Sequence, residues 1–362
     1  MSTRKVLILS GRFGKGHDTV AEATAAALAP LDVDCRILDA VALLGRSGGA
    51  AGDRIFRTLL SVPAVYDSLH FSQLRTGGRL AQWMDRTAVK AMYPRFLDEV
   101  RRFPPDLIVS VFATGAGAAA RYKSEHPGTV TAVFITDSYA HRLWVHEGTD
   151  IFLTTSALGA RSVQGFNPRA RVEVVTHPTR PAFYAAPDKV VARAALGVPI
   201  EARCVLLMSG AWGIGPLAEC ATQLAEAGIW VLAVGGSNER LVRRLRLVAA
   251  TNPRVIPFGF TDRVPELMAA SDAVITSSGD TCREARVVGR GLILLDVVPG
   301  HGRENLMHEL ELGSAVVSTA DPRTLVLAAE AVLDNPPEVT PVQSPDQWEH
   351  ELRAALASVG FA

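Results

Sequence analysis

Val6-Leu7-Ile8-Leu9-Ser10-Gly11-Arg12-Phe13-Gly14-Lys15-Gly16 and Val205-Leu206-Leu207-Met208-Ser209-Gly210-Ala211-Trp212-Gly213-Ile214-Gly215 are two copies of one pattern. Each has four apolar residues, then Ser-Gly, then glycines at matching spacing, then a helical stretch reaching about Leu28 or Ala227. A continuous apolar run that stops at a glycine turn suits a parallel strand buried on both faces. The turn bares backbone N–H groups at the start of the next helix, where anions bind. Neither set is a dinucleotide or Walker fingerprint. The order is G-x-x-G-x-G, and Gly14-Lys15 is followed by Gly16-His17 where a Walker loop needs Ser or Thr. The pairing is more telling than either copy, because each half of the chain opens with the same device.

Outward from these stretches the chain alternates strand and helix. Further strands are expected at Cys35–Leu38, Leu107–Val111, Val130–Ile135, Ile151–Thr154 and Val172–Val175. In the second half they fall at Trp230–Val234, Val255–Pro257, Ala273–Ile275, Leu292–Leu295 and Ala315–Val317. This predicts an α/β protein with two Rossmann-like, doubly wound parallel-sheet domains, residues 1–180 and 190–345. The join lies near Pro178–Pro199, and residues 346–362 form a final helix expected to cross back onto the first domain.

The 362 residues are 48% hydrophobic and carry no formal net charge, which fits two domains and gives no basic field for nucleic acid. No run of 18 apolar residues exists, and Val6–Leu9 is too short for a signal-peptide core. Cys35, Cys204, Cys220 and Cys282 are scattered and make no C-x-x-C. A reduced, cytoplasmic protein without a structural zinc is expected. Asp32-Val33-Asp34 precedes its strand and reads as a surface turn, so no catalytic metal is expected. Residues 45–102 differ from the rest, with ten Lys/Arg against five Asp/Glu interleaved with Phe56, Leu59, Val65, Phe71, Leu80 and Trp83. Such a helical segment suits a membrane surface or lipid acceptor, or is an excursion packing its apolar side inward.

Candidate chemistry gathers at strand ends. His17 opens the helix after the first glycine turn, facing the crevice where open α/β sheets bind ligands. The positive helix end disfavours an imidazolium, and a neutral imidazole can take a proton from an acceptor hydroxyl. Asp137, after the strand at 130–135, is placed to orient His17 or to act as base itself, with His141 and Trp144 shaping an acceptor pocket. Ser277-Ser278-Gly279-Asp280-Thr281 is again strand, polar turn and helix start, suited to phosphates, and Glu284 can take both hydroxyls of a ribose. Pro299-Gly300-His301-Gly302-Arg303-Glu304-Asn305 is dense in hydrogen-bonding groups, as a sugar pocket requires.

In this order the pieces resemble the glycosyltransferases that make glycosyl-diacylglycerols: bacterial processive diacylglycerol glucosyltransferases and plant monogalactosyldiacylglycerol synthases. Gly14-Lys15-Gly16-His17 resembles the family's G-x-G-H. Thr136-Asp137 through His141 and Trp144-Val145-His146-Glu147 resembles its T-D-x-x-x-H-x-x-W-V-H-E. Pro299-Gly300 with Glu304-Asn305 resembles its P-G-Q-E-x-E-N. The resemblance implies a GT-B fold and an inverting, metal-independent transfer from a UDP-sugar co-substrate, with no other cofactor. The acceptor would bind the first domain through Gly14, Gly16, His141 and Trp144, with His17 as base. The donor would bind the second domain through Gly210, Gly213, Gly279, Thr281, Glu284 on ribose, Gly300, and Glu304 and Asn305 on the sugar. Backbone near Phe258-Gly259-Phe260 would meet the base. The lipid acceptor implies a peripheral seat on the inner face of the cell membrane. Three departures stand out. Ser277-Ser278-Gly279-Asp280 replaces K-P-G-G, putting a carboxylate near a diphosphate. Thr176-His177-Pro178 replaces the T-G-I-P hinge, and His301-Gly302 replaces Q-E. Other readings are transfer to a peptidoglycan precursor or soluble metabolite, a nucleotide-sugar-binding protein with little catalysis, and a nucleotide-sugar epimerase.

Overall fold

The computed structural model describes residues 3–11, 16–45, 62–210, 213–313, 315–339 and 344–361. Gly14 and Trp212 lie outside these, as do residues 46–61 of the basic segment. The chain forms two compact units, Met1–Pro178 with Gln343–Ala362, and Thr179–Val342.

The first unit holds β1 (Lys5–Ser10), β2 (Asp34–Asp39), β3 (Leu107–Ser110), β4 (Val130–Phe134), β5 (Ile151–Thr154) and β6 (Val172–Val174), all parallel, in the order β2-β1-β3-β4-β5-β6. Val6, Leu7, Ile8 and Leu9 are fully buried, because alternate residues go to opposite faces and both are covered. Val6 and Ile8 face α1 (Gly16–Leu28) and the terminal helix Pro345–Ala357. From the latter, Trp348, Leu352 and Leu356 enter the same core. Their spacing of four residues makes one helical stripe. Leu7 and Leu9 pack against Met92, Tyr93, Phe96 and Val100 of the 24-residue helix Arg79–Arg102.

The second unit holds β7 (Cys204–Met208), β8 (Trp230–Val234), β9 (Val255–Phe258), β10 (Ala273–Thr276), β11 (Gly291–Leu295) and β12 (Ala315–Ser318), also all parallel, ordered β12-β11-β10-β7-β8-β9. Counted from the unit's own first strand, this is the 3-2-1-4-5-6 order of a dinucleotide-binding sheet.

In such sheets ligands bind at the carboxyl ends of the two strands between which the winding reverses. Those are β1 and β3 in the first unit and β7 and β10 in the second. Both glycine-turn strands therefore stand at a reversal point. The odd hinge residue His177 is buried in the first unit, its ring 5.6 Å from Phe134 and its Nδ1–H donating to Pro178 O over 2.8 Å. Glu351 of the terminal helix accepts the neighbouring Thr176 N–H. The large imidazole thus fills core space and is tied down beside Pro178, where the unit's first segment ends.

Candidate functional site

At the first reversal point, His17 lies in the first turn of α1, half-buried, with Nδ1 2.8 Å from Val111 O just past β3. A carbonyl can only accept, so Nδ1 carries the proton and a neutral ring keeps its lone pair on Nε2. Nε2 has no partner among the described residues. The Phe112 ring meets His17 edge-on at 5.2 Å. Gly11 allows this packing, since a Cβ there would fall 2.4 Å from the Phe112 ring. Ser10 Oγ donates to Asp18 Oδ1 over 2.8 Å, fixing the first turn to the strand end. The group that orients His17 is therefore the Val111 carbonyl and not Asp137.

Asp137 heads a second polar cluster. Trp144 Nε1–H donates to its Oδ2 over 3.0 Å, and His141 Nε2 stands 3.8 Å from the same oxygen. Leu143 N–H donates to His141 Nδ1, leaving the His141 proton on Nε2, toward the carboxylate. Trp144 is only 2% exposed, which corrects the expectation that its ring lines an acceptor pocket. Its indole packs among Ile135, Phe152 and Val163, and its N–H is the clamp on Asp137. The helical segment after residue 62 docks on this loop. Arg142 N–H donates to Leu74 O, and the Arg75 guanidinium lies 3.9 Å over the Tyr139 ring. His146 Nε2 stands 3.6 Å from Asp85 Oδ1 in the long helix. Burial pushes the Asp85 carboxyl up and the His146 imidazole down, so both are drawn toward their neutral forms. A cavity of about 430 Å³ opens beside the pair, against Arg86, Lys90 and Arg121. The coupling of Asp85 and Arg75 to the Asp137 loop was not readable beforehand, because the partners lie more than fifty residues apart in sequence.

At the second reversal point, three turns are stitched together. Ser209 Oγ donates to Ser277 Oγ over 3.2 Å, and Ser278 Oγ to Gly302 O over 2.6 Å. The turns after β7, β10 and β11 thus meet, bringing Gly210, Gly279, Thr281, Gly300, Glu304 and Asn305 to one end of the sheet. A Cβ on Gly210 or on Gly279 would meet nothing within 4 Å, so the space over both turns is open. Gly279, at φ 155° and ψ −160°, caps the helix Asp280–Val287 in a region only glycine occupies readily. Asp280 is paired with Arg283 over 3.2 Å, which offsets the charge that replaces the family's small residue. Gly213 is a packing residue. At φ 56°, its Cβ would fall 2.7 Å from Gly235 O and from Leu241. Phe260 follows β9 and is 56% exposed.

Glu284, on that same helix, is nearly buried and is held by Arg180. The Arg180 Nε–H and Nη2–H both donate to Oε1, over 3.3 and 3.0 Å. Burial pushes the Glu284 carboxyl up to about 7, with Arg180 opposing and Asp280 adding to the rise. Arg180 had no motif to mark it and escaped the sequence reading.

Two parallel α/β units, each with a polar turn cluster at its reversal point, define the GT-B class. Solved structures share this fold: sucrose-phosphate synthase from Thermosynechococcus elongatus (TM-score 0.60, 13% identity, 98% of this chain and 96% of that one). Another is UDP-GlcNAc 2-epimerase from Neisseria meningitidis (TM-score 0.62, 11% identity, 98% and 99%). Within that class, residues 58–174 match the family model for monogalactosyldiacylglycerol (MGDG) synthase. A processive diacylglycerol beta-glucosyltransferase of Bacillus pumilus is 28% identical over 229 residues, 61% of this chain and 59% of the relative. Monogalactosyldiacylglycerol synthase 3, chloroplastic, of Arabidopsis thaliana is 24% identical over 285 residues, 72% and 60%. Both matches are at modest identity, and the chain spans 59% and 60% of the length of these two relatives.

Proposed function

We propose that the protein is a glycosyltransferase that moves a sugar from a UDP-sugar to the hydroxyl of a diacylglycerol-type lipid. The observation that carries the catalytic part is the hydrogen bond from His17 Nδ1–H to Val111 O. It fixes the tautomer in which Nε2 accepts the acceptor's proton as its oxygen attacks the anomeric carbon. Attack from the face opposite the leaving group inverts that carbon. The departing diphosphate gains charge, which the open start of the helix after Gly279 opposes without a metal ion. Glu284 takes the ribose hydroxyls, and Glu304 with Asn305 takes those of the sugar.

The lipid reading draws support from the segment after residue 62. Val62, Val65, Phe71, Leu80 and Trp83 are exposed there, Trp83 by 58%, beside exposed Arg79, Arg86 and Lys90. Exposed apolar groups among cations suit an anionic bilayer surface. The test is release of nucleoside diphosphate from a panel of UDP-sugars, with and without diacylglycerol vesicles, read with lipid product by mass spectrometry. Acceptor-dependent release is expected, falling about 10²- to 10⁴-fold in His17→Ala while donor binding persists. Release without acceptor, or undiminished turnover in His17→Ala, counts against this assignment.

A further inference from the structure

Glu284 is 12% exposed at its side chain, and only one of its two oxygens is used. Both N–H groups of the Arg180 fork go to Oε1. Oε2 accepts no hydrogen bond among the described residues. A buried carboxylate with one oxygen pinned and one open is half of a diol receptor. The pinned side holds the plane of the group, and the open side can accept hydroxyl protons. Arg180 is the second residue of its unit in sequence, 104 residues from Glu284, so nothing local requires the pairing.

We propose that Arg180 is a positioning residue that keeps Glu284 ionised and turned so that it receives a ribose diol; this rests on the reading that Glu284 holds the donor's ribose. The charged groups facing Glu284 are Arg180 and Asp280, and Asp280 is itself engaged by Arg283. Of these, Arg180 opposes protonation and Asp280 favours it. A protonated carboxyl keeps one acceptor oxygen and offers a hydrogen that the diol does not need, so ribose binds the ionised form better. Even with Arg180 opposing it, burial leaves the group near half-protonation at about pH 7. Without the guanidinium, the titration moves to more alkaline pH. The Arg180 side chain is 39% exposed, so its replacement by Gln leaves no buried charge of its own.

The test is calorimetric binding of UDP from acid to alkaline pH by wild type, Arg180→Gln, Arg180→Lys and Glu284→Gln, repeated with 2′,3′-dideoxy-UDP. In wild type, UDP binding should strengthen as pH rises through about 7. In Arg180→Gln, affinity should drop about tenfold at neutral pH and recover at alkaline pH, with Lys restoring part of it. Glu284→Gln should bind weakly with no such pH dependence. The dideoxy nucleotide should bind all four proteins alike, an equality that a misfolded variant cannot mimic. An Arg180→Gln protein with wild-type affinity and pH profile overturns the positioning role and leaves ribose on Glu284 intact. Unchanged UDP binding in Glu284→Gln overturns the ribose reading, and the role of Arg180 with it.

Discussion

Glu284 is a residue in which burial and charge oppose each other. Its carboxyl is raised from 4.5 to about 7, mainly by burial. Between those pH values the folded protein binds more protons than the unfolded chain, so stability falls as pH rises through the window. The group therefore costs at most about 3 kcal/mol above pH 7. Glu284→Gln should flatten that slope and raise the melting temperature at alkaline pH, measured by calorimetric scans at acid and alkaline pH. A variant less stable than wild type at alkaline pH would show that the Arg180 pair outweighs desolvation. Trp144 presents the reverse case, a buried ring kept for one polar atom. Trp144→Phe keeps most of the packing and strips Asp137 of its 3.0 Å donor. A loss of about 1–3 kcal/mol is expected in denaturant titration.

Among the elements, the glycine turns carry constraints of two kinds. Gly210 and Gly279 face open space, whereas Gly213 is pressed against the Gly235 carbonyl with a left-handed φ. Gly213→Ala should destabilise the second unit by about 1–3 kcal/mol, through strain and the clash together, with chemical denaturation as the check. The strands were legible in sequence for a simple reason. Val6–Leu9 and Val205–Met208 are apolar throughout because helices cover both sheet faces, and Ser-Gly ends each run. Placement of the 277–280 and 299–305 turns followed from the same strand-end rule. What the sequence could not display were pairings set by tertiary distance: Arg180 on Glu284, Asp85 beside His146, and the Val111 carbonyl on His17. Trp144 was misread because a tryptophan near polar residues looks the same in sequence whether its ring faces a ligand or the core. In the long helix, Trp83 leaves its side chain outside while Met92, Tyr93 and Phe96 turn theirs in. Trp83→Ser should weaken binding to anionic vesicles several-fold with little change in stability, as co-sedimentation would register; equal binding by both proteins would remove this ring from the membrane reading.

The whole molecule is wired unevenly. The second unit is one unbroken stretch, while the first is assembled from both ends of the chain. Trp348, Leu352 and Leu356 return to cover Val6, Ile8 and Leu107. Trp348→Ala should therefore weaken the first unit by about 3–5 kcal/mol and leave the second unit's unfolding unshifted, a difference that hydrogen exchange resolved by peptide can read. The same wiring sets an order of events during synthesis. The six strands of the first sheet leave the ribosome before any of the second unit, yet the helix that closes one of their faces leaves after all of it. Until then a strip of valine, isoleucine and leucine is covered only in part, by α1, through the translation of some 160 further residues, long enough for chaperones to engage it and for neighbouring chains to stick to it. Expression yield should thus depend more on how quickly translation reaches that last helix than on how stable either finished unit is.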